Sequence, residues 1–338
     1  MEFFRRYQEV YSPLRRAPRV LACLALAFQI GCNREPNASR ASPTETTAGK
    51  PVAPGVMLRS FPQGSELSPP SDVYVLEVDL TVPGARVKVV SDAPTVRAGR
   101  VYGKSYTVAE WCRKNGAVAG INGGFFGLSD LDRKEFIGLL AANGAIISSG
   151  RLVRPSGHPE MRIARSVLGM DDKGTPHIGW AVGERGRAAL LTEYPSPVNP
   201  TKQRFWNVDS AVACGPRLIS AGKIAISDRD ERLASPRPLR RTFVGYDTEK
   251  SRPGHMVLAT CEAMTFSDAA TFLQAYFKKY HGRTCAEAMA LDGGASTQLA
   301  YRAAGGSIES VGSLVTVPTA ILVSVPVNDP AAHRHHRL

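Results

Sequence analysis

Twice in this chain the same parts recur in the same order: a threonine-led capping box, an amphipathic helix, a glycine, a short apolar strand, then Asn or Asp before Gly-Gly. In the first copy Thr107-Val108-Ala109-Glu110 opens a helix that includes Trp111 and Cys112 and stops near Asn115-Gly116. The apolar run from Val118 then empties into Asn122-Gly123-Gly124. In the second copy Thr265-Phe266-Ser267-Asp268 opens a longer helix, with Ala269, Phe272, Leu273, Tyr276, Phe277 and Tyr280 on one face and Gly282 beyond it. Ala288 to Leu291 then run into Asp292-Gly293-Gly294. A hydroxyl at the N-cap and an acid three residues on satisfy two orphan amides at a helix start, and a glycine closes the other end. Apolar runs stopped by paired glycines are buried strands emptying into tight loops. The pattern predicts two related helix–strand units whose loops converge on one pocket. The fold class it implies is α+β (mixed α/β), one domain on a mixed, largely antiparallel sheet.

The second loop carries the richer chemistry. Asp292 places a carboxylate at the end of a strand, Gly293 and Gly294 let a ligand approach without a Cβ in the way, and Ser296 and Thr297 add hydroxyls. Elsewhere the chain reads as strands. Val73 to Leu80 alternates over part of its length, and Ala85 to Val90 is expected as its hairpin partner across Pro83-Gly84. Short segments flank Asn143-Gly144, and Ser166 to Met170 and Pro176 to Val182 flank the turn at Asp171-Asp172-Lys173-Gly174. Glu184 to Asp209, with prolines at 195, 197 and 200, is expected to run as a long surface excursion. Ser210 to Lys223 holds a strand, Cys214-Gly215-Pro216 and a second strand, and Leu239 to Asp247 is a strand led in by Arg241-Thr242. The guanidinium fork of Arg241 suits two phosphate oxygens.

The N-terminal region is of another kind. Five arginines precede the apolar run Val20 to Ile30, which is shorter than the roughly 20 residues a membrane anchor needs. Residues 1–31 therefore form a secretory signal, and Cys32, closing a segment similar to a bacterial lipobox, is the expected lipidation site. Gln29 departs from that pattern. Residues 32–55 are a Ser/Thr/Pro-rich tether, 56–327 the folded body and 328–338 a tail. These features predict an exported protein of the cell envelope or periplasm, held to the membrane by lipid. The net charge of +12, or +9 without the signal, is scattered rather than run together with aromatics. That argues against nucleic acid and suits anionic glycopolymers. Cys112, Cys214, Cys261 and Cys285 remain in the body with no CxxC, and a Cys261–Cys285 bridge is expected to bracket the long helix.

Taken in order, INGGFF, CGPRLISAGK, RRTFVGYD, the second capped helix and ALDGGAST resemble the phosphodiester glycosidase family, from about Val73 to Val325. Two positions depart from the family pattern: Ala295 stands where a third glycine is usual, and Cys214 where serine or glycine is common. The resemblance implies hydrolysis between a sugar's anomeric carbon and a phosphodiester in envelope or exported glycans. It implies Asp292 as the carboxylate facing the anomeric carbon, Arg241 as phosphate clamp and Asn122 as a further donor. Gly123, Gly124, Gly215, Thr242, Gly293, Gly294, Ser296 and Thr297 would bind substrate. Asp130, Asp132 and Glu135 are the candidates for a second carboxylate. No cofactor is called for, and a divalent cation is left open. The alternative is a non-catalytic envelope lipoprotein that binds phosphorylated glycopolymers through the same pocket. A serine hydrolase built on Ser296 has no visible histidine partner, and a P-loop at Gly103-Lys104-Ser105 fails at Ala98.

Overall fold

Strands dominate. The computed structural model describes residues 49–97, 100–128, 133–152, 161–162, 164–184, 186–191, 203–233, 235–249 and 252–326. The signal, most of the tether, Cys32, Asp130, Asp132 and the tail lie outside them; the last residues assigned to the tether are not free chain, since Lys50–Ala53 is a strand paired with Val56–Phe61. About 54% of the described residues are strand and 11% helical, the two α-helices among them being α1 (Val108–Asn115) and α2 (Phe266–His281). The α+β expectation is met in this loose sense, but the protein is largely β, and every pairing among the described strands is antiparallel.

An eight-stranded sheet has as its inner members Val73–Asp79, Arg252–Met264, Leu239–Glu249 and Glu287–Ala290, in that order. Its strands alternate between two cores because successive side chains point to opposite faces. Phe243, Val257 and Val75 face α2, whose Phe266, Ala269, Phe272, Leu273, Tyr276 and Phe277 cover them. Val244, Leu258 and Leu76 face the other way, into a core shared with two further sheets. One of those has seven strands and includes Leu139–Ala142, Ser210–Cys214 and Arg165–Met170. The other has five and places Ala119–Asn122 between Gln298–Arg302 and Thr319–Ser324. Helix α1 packs on the far side of this five-stranded sheet through Val108, Trp111 and Cys112 against Ala300, Ala320 and Leu322.

Both capping boxes form, and Gly116 and Gly282 close the two helices in the left-handed conformation, φ 63° and 64°. Other readings need correction. Arg86–Ser91 is no hairpin partner of Val73–Asp79; it pairs with Thr319–Ser324 in a different sheet. The turn at Pro83-Gly84 carries the chain between layers, because each strand buries one face in the shared core. Cys112, Cys214, Cys261 and Cys285 are all buried free thiols, so the expected Cys261–Cys285 bridge is absent. Cys285 Sγ instead donates to the carbonyls of Glu287 (3.4 Å) and Tyr246 (3.7 Å), and burial pushes the Cys261 thiol up to about 12. The excursion after Glu184 is partly sheet: Arg187–Leu191 pairs with Gln203–Trp206.

Candidate active site

The two Gly-Gly loops meet. Asn122 is the last residue of a fully buried strand in the five-stranded sheet, and Asp292 follows the strand Glu287–Ala290 of the eight-stranded sheet. Asn122 Nδ2 donates to the backbone carbonyl of Asp292 at 2.7 Å, and the Asp292 amide donates to the Gly123 carbonyl at 3.2 Å. Asn122 Oδ1 accepts from Thr242 Oγ1 (2.7 Å) and from the Gln298 amide (3.0 Å). Gln298 in turn accepts from the Val108 amide at the start of α1 (3.1 Å), so one buried side chain links the first helix to the second loop. The turn at Gly123-Gly124 is held by Thr319, which accepts from Gly123 N through its carbonyl (3.0 Å) and from Gly124 N through Oγ1 (3.1 Å). Gly123 must lack a side chain, since a Cβ there would lie 2.4 Å from Thr319 Oγ1.

Asp292 is 6% exposed. Burial raises its carboxyl to about 7, and a bond from Ser296, the Gly293 amide and the charge of Lys134 offset this only in part. Ser296 sits in a short 3-10 turn, Gly294–Ser296, with Gly294 at φ +60°. Thr297 Oγ1 is buried and has no hydrogen-bond partner among the described residues. Cys214, whose thiol burial and the Asp292 charge both push upward, lies on the seven-stranded side of the same junction. Gly215 follows it at φ +118° in a cis peptide to Pro216, and its amide donates to the Ala290 carbonyl (3.0 Å).

Arg241 abuts the second loop through its backbone, where a Cβ on Gly293 would lie 3.6 Å from its Cα, but its side chain is directed elsewhere. Alternation along its strand sends Thr242 to Asn122 and Arg241 to the α2 side. There the guanidinium lies 3.7 Å over the Phe266 ring, with Nε donating to the Met264 carbonyl (2.7 Å) and Nη2 to that of Arg237 (3.3 Å). Burial lowers its pKa to about 10, against the pull of Cys261, Asp268 and Asp228. Asn122, Arg241 and Asp292 are all buried, so the pocket on which the two loops are expected to converge is not open to solvent at these side chains. Two surface clefts, of about 610 and 370 Å3, include none of the three.

Several residues had no sequence signal. Lys134, 5% exposed on the strand Arg133–Phe136, is the cation that couples to Asp292. Its ammonium donates to the Thr316 carbonyl and lies 4.6 Å over the Phe126 ring, and burial lowers its pKa. Glu231, 1% exposed, accepts from Ser227 Oγ (2.5 Å), Ser166 Oγ (2.6 Å), Ser166 N (2.8 Å) and Trp180 Nε1 (3.1 Å), and ties the seven-stranded sheet to the segment after Gly215. Glu135, one of the three candidates for a second carboxylate, accepts from Arg100 Nη1 at 3.0 Å. Among the described residues no group of three or more His, Cys, Asp or Glu could hold a metal ion.

The model of the family described as phosphodiester glycosidase matches residues 115–324, which span both Gly-Gly loops. The chain belongs to the phosphodiester glycosidase family. That places it with hydrolases of the glycosidase type. Among solved structures, the fold is similar to the zebrafish N-acetylglucosamine-1-phosphodiester alpha-N-acetylglucosaminidase catalytic domain, described as auto-inhibited by its pro-peptide. The identity is 17% and the TM-score 0.50, over 83% of this chain and 87% of that one. It is also similar to a hypothetical protein from Synechocystis, at 15% identity and TM-score 0.50. That match covers 81% of this chain but 62% of the other, so this chain spans about three-fifths of that relative's length. No curated protein matches the chain. Identities this low carry the fold, so the chemistry must come from the junction itself.

Proposed function

We propose that this protein hydrolyses the bond between a sugar's anomeric carbon and the phosphate of a phosphodiester, with Asp292 as the reacting carboxyl. The observation that carries this reading is a buried carboxyl at about 7 where the two family loops meet. A carboxyl poised near neutrality can hold or release a proton at working pH, which general acid or base catalysis requires. In its neutral form it does not repel an anionic diester, and once ionised it stabilises an oxocarbenium-like carbon. Phosphate leaves readily, so placing the diester counts for more than strong acid help. Gly293, Gly294 and Ser296 keep the loop open and polar, while Asn122, Thr242 and Gln298 fix its position. Lys134 supplies the positive charge nearest in effect to Asp292, and Arg241 organises the start of α2 rather than clamping phosphate.

A pure glycopolymer binder has no use for a buried acid beside an anionic ligand, which disfavours the alternative. The basic signal-like segment and Cys32 support an exported, lipid-anchored enzyme acting on envelope or exported glycans. Product analysis with a panel of sugar-1-phosphodiesters tests the activity. Release of free reducing sugar by the wild type, lost in Asp292→Asn, is expected. Binding without cleavage across the panel would overturn the reading.

A further inference from the structure

A second cleft shares no residue with the Asn122–Asp292 junction. Gln203–Trp206 is the outermost strand of the seven-stranded sheet and pairs, among the described residues, with Arg187–Leu191 alone. Beside it opens a cavity of about 370 Å3 whose walls include His177, Arg187, Arg204, Phe205, Trp206 and Asn207. Phe205 is 48% exposed, so its ring is open to a ligand. The Arg187 guanidinium lies 4.3 Å over that ring, with Nη2 3.4 Å from Asn207 Oδ1. Trp206 meets His177 edge to face, ring centroids 5.5 Å apart.

The charge balance of the cleft is one-sided. Arg187 and Arg204 form no ion pair among the described residues, although both line it. Among the described residues the one carboxylate in the walls, Asp171, is occupied by its own turn: Oδ1 accepts from the Thr175 amide at 2.7 Å and the Lys173 amide at 3.0 Å. Burial lowers the His177 pKa, and the Arg204 charge lowers it further, so the imidazole adds a neutral hydrogen-bonding ring.

An exposed aromatic ring offers a flat apolar surface to the C–H face of a pyranose. Two guanidinium forks offer paired donors to an anionic substituent. The Asn207 amide and the strand edge, unpaired among the described residues, supply further donors and acceptors for hydroxyls. We infer that this cleft binds an anionic oligosaccharide, a chain of sugars bearing phosphate or carboxylate groups. Two cations are too few for a nucleic-acid track, and Arg204 on the edge strand discourages pairing with another protein strand. The site stands apart from the proposed catalysis and does not depend on it.

The test uses the whole folded protein and the double variant Arg204→Ser/Phe205→Ala, both surface positions, with thermal melting to confirm the fold. Calorimetric titration is run with oligogalacturonate, a phosphorylated oligomannoside, a neutral oligomannoside and single-stranded DNA. The wild type should bind at least one acidic oligosaccharide. The variant should bind it about tenfold or more weakly, the scale of one lost charge-assisted hydrogen bond. The two acidic arms tell carboxylate from phosphate recognition. Turnover of a small soluble sugar-phosphodiester should be unchanged in the variant, so loss of catalysis and loss of this site register separately. Equal binding of the neutral glycan, tighter binding of DNA, no binding to either acidic glycan, or an unaffected variant would each overturn the assignment.

Discussion

The side-chain amide of Asn122 donates to the backbone carbonyl of Asp292 across 2.7 Å of space and 170 positions of sequence. Through that bond and the reverse one from Asp292 N to Gly123 O, two sheets fix the loop that carries the acid. The acid is thus placed through its main chain, while its carboxyl meets Ser296 and the Gly293 amide of its own loop.

Asp292→Asn should cut turnover by about 10²–10⁴-fold, the usual worth of a positioned acid or base. It should also stabilise the protein at alkaline pH. The carboxyl titrates at about 7 in the fold against 3.8 ordinarily, so between those values the folded state holds the proton. Its contribution to stability is full below about 4 and is lost as pH rises through about 7. Melting curves should therefore show the variant gaining on the wild type from pH 5 to 8, by on the order of 2–4 kcal/mol at the top. A constant gap across that range would mean that Asp292 is not protonated in the fold.

Asn122→Ala strands three buried partners at once: the Thr242 hydroxyl, the Gln298 amide and the Asp292 carbonyl. We predict a loss of about 3 kcal/mol or more by urea denaturation. Thr242→Val removes one donor and should cost about 1 kcal/mol. The two together should fall short of the sum, because they share a network.

The glycines should rank by environment. Gly123→Ala drives a Cβ to 2.4 Å from Thr319 Oγ1 and should cost about 1–3 kcal/mol as overpacking. Gly294→Ala meets nothing within 4 Å and is strained only by its φ of +60°, which costs about 1–2 kcal/mol. Thermal melts of the two variants should preserve that order.

Arg241→Lys keeps a charge but loses the planar stack on Phe266 and the two carbonyl bonds to Met264 and Arg237. Stability should drop by about 1–3 kcal/mol while KM for a sugar-phosphodiester stays within about twofold of wild type. A KM raised tenfold in a fully folded variant would restore Arg241 as the phosphate clamp.

The sequence alone determined the local devices. Thr107 and Thr265 as caps, Gly116 and Gly282 as left-handed stops, the turn from Asp171 to Gly174 and the apolar face of α2 are all decided within a few residues of chain, where sterics and nearest hydrogen bonds govern. So was the identity of the two Gly-Gly loops. What the sequence could not decide was which apolar strand joins which sheet, because the period-2 pattern specifies a buried face but not its partner. Arg86–Ser91 went to Thr319–Ser324 rather than to the neighbouring Val73–Asp79 for that reason. The same limit governed the site. Arg241 and Thr242 are adjacent in sequence, yet opposite faces of one strand put only Thr242 beside Asn122. The charge of Lys134 is felt at Asp292, and Asp292 rose to about 7, only because tertiary packing shut water out around them; burial is a property of the assembled layers and of no single stretch of chain.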